Sequence, residues 1–334
     1  MERGFRTTLV WRCLEVAMAT EIIVPSNQEH WLAMRKLDVT STESAALFGM
    51  SPYITHYDLW HRKKTGIVPE FVVNDRMKWG NRLEAAIAYG IAEEQGWEVK
   101  PMKEYFRDPD LRMGSSFDFV ITNLGEPVHL EIKNVDYLAF RDGWLEHEDG
   151  SIEAPEHIEM QVQHQMAVSG FKRAFIGAFI AGNRGVVIER LRDEDVIKAI
   201  KGRVRDFWRT VDEGIEPDPV MPGDAEVIIR LNQYAKPGKI LSADSDDTLR
   251  QLLKDYKEAA TTEAKAKEDK EVAKAKVFLH IGDAEKVLTN EWSVSCALQA
   301  DTPPTLITAD MVGKSYGGRA GFRNLRIYPR KPTK

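Results

Sequence analysis

Hydrophobic positions stand four apart over residues 77–95, at Trp79, Leu83, Ile87 and Ile91. That spacing puts them on one stripe of a helix, which Gly96 ends. Glu84 falls beside the stripe, and Lys78 and Arg82 fall toward the exposed side. The period then changes. Residues 117–121 are a β-prone run, Asn123, Gly125 and Pro127 mark a turn, and residues 128–133 alternate. Successive strand side chains point to opposite faces. His129, Glu131 and Lys133 therefore share one face, and Val128, Leu130 and Ile132 the other. Asp118, on the first strand of this hairpin, is expected at the same edge as Glu131.

The flanking stretches supply the remaining layers. In residues 27–49, Trp31, Leu32 and Leu37 read as a buried helix face. Thr40 followed by Glu43 reads as a capping box that opens a helix running to Gly49. Tyr57, Leu59 and Trp60 pack the next helix, which starts at Ser51 and Pro52 and ends at Gly66. Residues 97–106 read as a strand, and 134–154 as a loop near the hairpin. Pro155 precedes a helix over 156–169 with Ile158, Val162 and Met166 on its apolar edge. His157, Gln161, His164 and Gln165 share another face, and Gln163 lies near the boundary. Residues 174–180 and 186–191 form a hairpin, and Asp193 caps a helix reaching residue 211. This order predicts an α/β (α+β) fold, a mixed central sheet flanked by helices.

A proline-rich stretch opens a linker over 216–247. Residues 248–280 predict a long helix or helical hairpin with a solvated charged face. Strand-like runs follow at 285–288, 292–298 and 322–328. The expected organisation is a loosely ordered segment 1–26, a core over 27–215, the linker, and a helical and β-hairpin extension over 248–334.

Composition narrows the class. No apolar run is long enough to span a bilayer. Arg12 and Glu15 interrupt the apolar N-terminus, which makes a poor signal peptide, and Met18 is a second candidate start after Met1. Cys13 and Cys296 lie far apart, so neither a disulfide framework nor a zinc site is supported, and a reducing cytoplasm is the simplest setting. The net charge of −6 argues against a protein that coats nucleic acid, yet leaves room for a local basic groove. His61, Arg62, Lys63 and Lys64 suit either compensation of a helix C-terminus or contact with DNA. The basic terminus, including Arg323, Arg326 and Arg330, is open in the same way.

Two acidic oxygens that share a hard cation, with an amine beside them, suit metal-assisted phosphodiester hydrolysis. Asp118, Glu131 and Lys133 offer that set. The plain alternatives are a solvated strand face for Glu131 and Lys133, a surface position for Glu84, and a polar helix face for the amides after residue 156.

Several segments in order then carry a resemblance. They are Trp31 with Arg35; Thr40, Ser41, Thr42 and Glu43; Trp79 and Gly80 with Glu84; Asp118 with Glu131, Ile132 and Lys133; and Gln161, Val162 and Gln163. Together, over residues 28–212, they resemble the lambda-type exonuclease and YqaJ-like viral recombinase group of the PD-(D/E)XK nuclease superfamily. Phe117 stands where the superfamily usually places proline. The resemblance implies a Mg²⁺-dependent 5′-to-3′ exonuclease of phage recombination that acts on double-stranded DNA ends. It implies release of 5′-mononucleotides and a remaining 3′ single strand. Asp118, Glu131 and the Ile132 carbonyl are implied ligands of a Mg²⁺ pair, with Mn²⁺ as substitute, and Glu84 completes the acidic site. Lys133 is implied to activate water, Gln161 and Gln163 to support the site, and Arg35 and Thr42 to receive a 5′-phosphate. A homotrimeric ring, a single-strand annealing partner and a bacterial cytoplasm are implied as well. The alternatives are a restriction-type or Cas4-like endonuclease, and a non-catalytic DNA-binding or annealing module.

Overall fold

The computed structural model describes residues 20–67, 74–231, 238–288 and 293–296. These fall in two compact units, one ending at Arg230 and the other starting at Leu231. The first unit begins with β1 (Glu21–Ile23), α1 (Gln28–Leu37), β2 (Val39–Thr40), α2 (Ser41–Ser44) with a 3-10 turn (Ala45–Phe48), α3 (His56–Thr65) and α4 (Asp75–Gln95). It continues through β3 (Val99–Pro101), β4 (Tyr105–Asp108), β5 (Met113–Ser116), β6 (Phe119–Ile121), β7 (Val128–Val135), α5 (Tyr137–Gly143), β8 (Leu145–Glu146) and β9 (Ile152–Glu153). It closes with α6 (Glu156–Ser169), β10 (Arg173–Ile180), β11 (Arg184–Leu191), α7 (Glu194–Glu213) and α8 (Asp224–Leu231).

Two larger sheets result, ordered β1-β4-β5-β2 and β11-β10-β7-β6-β3. Both are mixed, because β2 pairs with β5 and β7 with β10 in parallel while the other pairs are antiparallel. The expected mixed sheet flanked by helices is therefore the observed architecture. The expected hairpin of β6 and β7 forms, and its register sets Phe119 opposite Leu130 and Ile121 opposite Val128. Gly125 takes φ 85° in its turn, a conformation that glycine adopts without strain.

The catalytic-looking strand β7 is buried on both faces. Val128, Leu130 and Ile132 meet Ile87 and Ile91 of α4. The opposite side of the sheet packs on α6 and α7 through Ile176, Ala178, Val162, Met166 and Ile200. A Cβ on Gly177 of β10 would come within 2.8 Å of the Ile91 side chain, so glycine there lets α4 lie close on the sheet. On α7, Ile197, Ile200, Val204, Phe207, Trp208 and Val211 are buried. At about 1.5–3 kcal/mol each, they outweigh the Asp193 cap, worth about 1 kcal/mol.

Some local expectations differ. Residues 97–106 are two strands in different sheets, because the β3 edge strand ends at Pro101, which has no N–H for the ladder. Leu32, Leu37 and Trp79 are exposed. Helix α1 buries Met34 instead, and only the C-terminal half of α4 lies over the sheet. Glu21–Ile23 pairs with β4 inside the segment expected to be loose, and residues 1–19 lie outside the described residues.

The basic cluster at the end of α3 is tied down internally. Lys63 donates to the carbonyls of Arg35 and Asp38 and pairs with Glu43; Lys64 donates to the Val211 carbonyl. Arg62 pairs with Asp58 and His61 with Glu216. Asp224, within the expected linker, is buried and accepts the N–H groups of Val220 and Met221, starting α8.

The second unit contains α9 (Asp247–Ile281) and a hairpin of β12 (Lys286–Leu288) and β13 (Ser293–Ser295). The expected long helix is one continuous element, and none of its residues is buried. The run 322–328, the basic terminus and Cys13 lie outside the described residues. Among the described residues, no helix is long and apolar enough to cross a membrane.

Candidate active site

Glu131, in the middle of β7, is 3% exposed. Its solvated-face alternative is thereby excluded. Each of its oxygens accepts two hydrogen bonds. Oε1 takes Lys133 Nζ at 2.6 Å and Gln161 Nε2 at 2.5 Å. Oε2 takes Gln165 Nε2 at 2.8 Å and His129 Nε2 at 3.3 Å. The alternation of the strand puts His129 and Lys133 on the same face as Glu131, and α6 covers that face with amides. Burial alone would push the Glu131 carboxyl up. Lys133 and His129 reverse this and hold it well below the usual range.

Asp118 is not on a strand. It lies in the bend where the chain leaves β5 in one sheet and enters β6 in the other. Its Oδ2 accepts the Ile132 N–H at 2.8 Å, and its carbonyl accepts the Met102 N–H at 3.0 Å. The side chain is thus pinned one residue from both Glu131 and Lys133 along β7. Burial, then the charge of Glu131, raises the Asp118 carboxyl well above its ordinary value. Glu84, on the α4 side, is raised by burial and by Glu131. Burial opposes the charge on Lys133, but Glu131 and Asp118 more than offset it and raise its pKa. Lys133 is therefore an ammonium at neutral pH.

The two glutamines expected to support the site separate. Gln161 bridges Glu131 and Lys133, its Oε1 accepting Lys133 Nζ at 3.2 Å. Gln163 turns away. It donates to the Leu191 carbonyl and accepts the Asp193 N–H, joining the end of β11 to the start of α7. Residues two apart on a helix do not share a face, whereas residues four apart do. Gln165 is the second amide on Glu131; the implied site set left it out, although its i+4 spacing from Gln161 placed both on one face. His164 is fully buried, and burial pushes its pKa down to about 4, so it is neutral and outside the cluster.

Arg35 and Thr42 do come together. Arg35 Nη2 donates to Thr42 Oγ1 at 3.2 Å and to Thr40 Oγ1 at 3.4 Å. The Arg35 guanidinium also stacks over Trp31, 4.6 Å from the ring centroid. The expected capping box forms, with the Thr40 N–H donating to Glu43 Oε2 at 2.9 Å. Trp31 Nε1 donates to Ser116 Oγ at 2.7 Å, two residues before Asp118. The Arg35 pocket thereby reaches the edge of the acidic cluster.

The donor set at this cluster is oxygen only, which suits a hard cation. Three carboxylates against one lysine leave surplus negative charge, and burial first and then the Glu131 charge raise Asp118 and Glu84. A cation would offset that charge. Among the described residues, no three His, Cys, Asp or Glu side chains are grouped closely enough to enclose a metal. Glu131 fits least well, since Lys133 or Gln161 must yield before Oε1 takes another partner.

The mixed sheet sets Asp118 in the bend that enters β6 and Glu131 and Lys133 on the adjacent strand, the arrangement that the resemblance to PD-(D/E)XK nucleases implies. More narrowly, residues 30–172 match the family described as the YqaJ-like viral recombinase domain, the group that the sequence resembles. The uncharacterised protein YqaJ of Bacillus subtilis (strain 168) is 27% identical over 210 residues, which is 60% of this chain and 59% of that relative. The match thus spans less than two thirds of the relative's length. An alkaline exonuclease from Laribacter hongkongensis is similar over 62% of this chain and 100% of its own, at 18% identity and a TM-score of 0.46. A phage related exonuclease from Haemophilus somnus 129PT is similar over 54% of this chain and 95% of its own, at 15% identity and a TM-score of 0.41.

Proposed function

We propose that this protein is a Mg²⁺-dependent exonuclease of double-stranded DNA that works 5′ to 3′, releases 5′-mononucleotides and leaves a 3′ single strand for recombination. The observation that carries the reading is the buried Glu131, held by Lys133, Gln161, Gln165 and His129 next to Asp118. Well-packed apolar residues stabilise a core as well as such a cluster or better, so stability does not account for it and chemistry does. The match to a viral recombinase domain supports the recombination setting.

Asp118, Glu131, the Ile132 carbonyl and Glu84 would hold Mg²⁺, with Mn²⁺ as substitute. When bound, the metal supplies charge neutralisation at the phosphate and a lowered pKa for water. Lys133 remains protonated and offsets the charge that builds on the phosphate. Gln161 keeps Lys133 and Glu131 in register through one amide. Arg35 and Thr42 receive the 5′-phosphate of the DNA end. A homotrimeric ring, a single-strand annealing partner and a bacterial cytoplasm belong to the same proposal.

Linear duplexes labelled separately at each end, with and without a 5′-phosphate, test this reading. The expected result is Mg²⁺-dependent release of the 5′ label as mononucleotide, faster from phosphorylated ends, with covalently closed circles intact. Cutting of closed circles would replace the exonuclease by an endonuclease. Binding without digestion in Mg²⁺ or Mn²⁺ would remove the enzyme altogether. Light scattering tests the ring, which a monomer at working concentration excludes.

A second result concerns pH. The Asp118 and Glu84 carboxyls are raised by burial and by Glu131, so protons compete with Mg²⁺ for them increasingly as pH falls. Stability from their protonated forms is present at low pH and lost as pH rises through the raised values. Mg²⁺ is therefore expected to raise the melting temperature more at higher pH than at lower pH. A shift that shrinks with rising pH would take Asp118 and Glu84 out of the donor set.

A further inference from the structure

We infer that Gln165 is a positioning residue that couples the DNA-end pocket to the catalytic carboxylate. It lies outside every residue set that the resemblance implies. The inference rests on the function proposed above and adds a path between its two halves.

The path runs through one ring stacking and hydrogen bonds that meet at Ser116 and Gln165. The Arg35 guanidinium stacks on Trp31. Trp31 Nε1 donates to Ser116 Oγ at 2.7 Å. The Ser116 carbonyl accepts Gln165 Nε2 at 3.2 Å, and the same Nε2 donates to Glu131 Oε2 at 2.8 Å. One amide nitrogen thus spans the β5 end and the middle of β7. Both of its partners are acceptors, so chemistry fixes which end of the amide faces them. A flipped amide would set a carbonyl against a carboxylate.

The other end of the side chain argues for function. Gln165 is 1% exposed, and its Oε1 is buried with no hydrogen-bond partner among the described residues. Methionine would fill this space without leaving a buried carbonyl unpaired. A purely structural position would favour it. The amide is explained by its two donor contacts, which hold Glu131 against the segment that the end pocket grips. Phosphate arriving at Arg35 loads Trp31, and the load reaches Glu131 through Ser116 and Gln165.

The test uses the full-length protein and duplexes ending in 5′-phosphate or 5′-hydroxyl. Steady-state rates are measured for the wild type, Gln165→Met and Ser116→Ala. Ser116→Ala removes the hydroxyl that Trp31 reaches while keeping the carbonyl that Gln165 reaches. Gln165→Met is expected to lower kcat about tenfold with little change in KM, and to shrink the 5′-phosphate preference about fivefold or more, the low end of a typical coupling. Ser116→Ala is expected to shrink the same preference, so a misfolded Gln165→Met does not block the test. Equal loss on both ends with the preference intact in both variants would reduce Gln165 to a packing role and overturn the inference. So would full retention of rate and preference. A wild type that ignores the 5′-phosphate would overturn the end pocket and this coupling together. A wild type that prefers it, with variants that prefer it equally, would overturn the coupling alone.

Discussion

Lys133→Met is expected to lower Mg²⁺-dependent DNA digestion by about 10³-fold, the scale of losing one charged group aimed at a transition state. The side chain bonds Glu131 at 2.6 Å and Gln161 at 3.2 Å, and its charge faces Asp118 as well. Methionine matches its length and keeps the packing, so near-native circular dichroism and a similar KM for DNA should accompany the loss in kcat. Lys133→Arg should not rescue, because a planar fork cannot replace a compact ammonium between Glu131 and Gln161. Initial rates on a 5′-phosphorylated duplex measure both variants. Activity within tenfold of wild type would remove Lys133 from the chemistry and leave it as the partner of Glu131.

Arg107→Ala is expected to destabilise the protein by about 3–5 kcal/mol, the usual effect of breaking one side of a buried ion pair. Asp38 is fully buried and accepts Arg107 Nε at 2.9 Å and Tyr105 Oη at 3.2 Å. Burial raises the Asp38 carboxyl even with Arg107 present. Without Arg107 the value rises further, so acid relieves the unpaired charge and alkali exposes it. The loss measured by denaturant midpoints should therefore be larger at about pH 8 than at about pH 5. A loss under 1 kcal/mol at the higher pH would show that Tyr105 and water satisfy Asp38 unaided. The Asp38 carbonyl also accepts Lys63, which binds Arg35 and Glu43, so the end pocket should loosen before the acidic cluster does.

The hairpin that carries the site was legible because a period of two needs only its own residues. The alternation from Val128 to Lys133 and the turn at Gly125 are local facts, and the register followed. That the polar face of this strand is buried was not legible, since α6 covers it from elsewhere in the chain. The helix itself was predicted over its observed span, residues 156–169. Which of its amides reach Glu131 depends on its rotation about its own axis. Spacing constrained this further than the motif did, since Gln161 and Gln165 share a face and Gln163 does not. The basic cluster of α3 shows the opposite limit. Composition left it open between DNA and helix end, and the contacts it makes inside the fold come from partners distant in sequence, such as Glu216 and Val211. Trp79, Leu32 and Leu37 were misplaced because periodicity says where a stripe lies, and not how much of it finds a neighbour.

The parallel pairing of β7 with β10 has a consequence for folding order. Parallel strands need a crossover, and here it is residues 136–172, which contain α5 and the amide-bearing α6. Glu131 acquires its full set of partners only when that excursion has closed and α6 has docked. Such non-local contacts form slowly, after the loop-closure entropy has been met. During synthesis the chain therefore presents the carboxylates long before it presents a site. A nascent chain ending before β10 would carry Glu84, Asp118 and Glu131 without the paired strand that completes their surroundings.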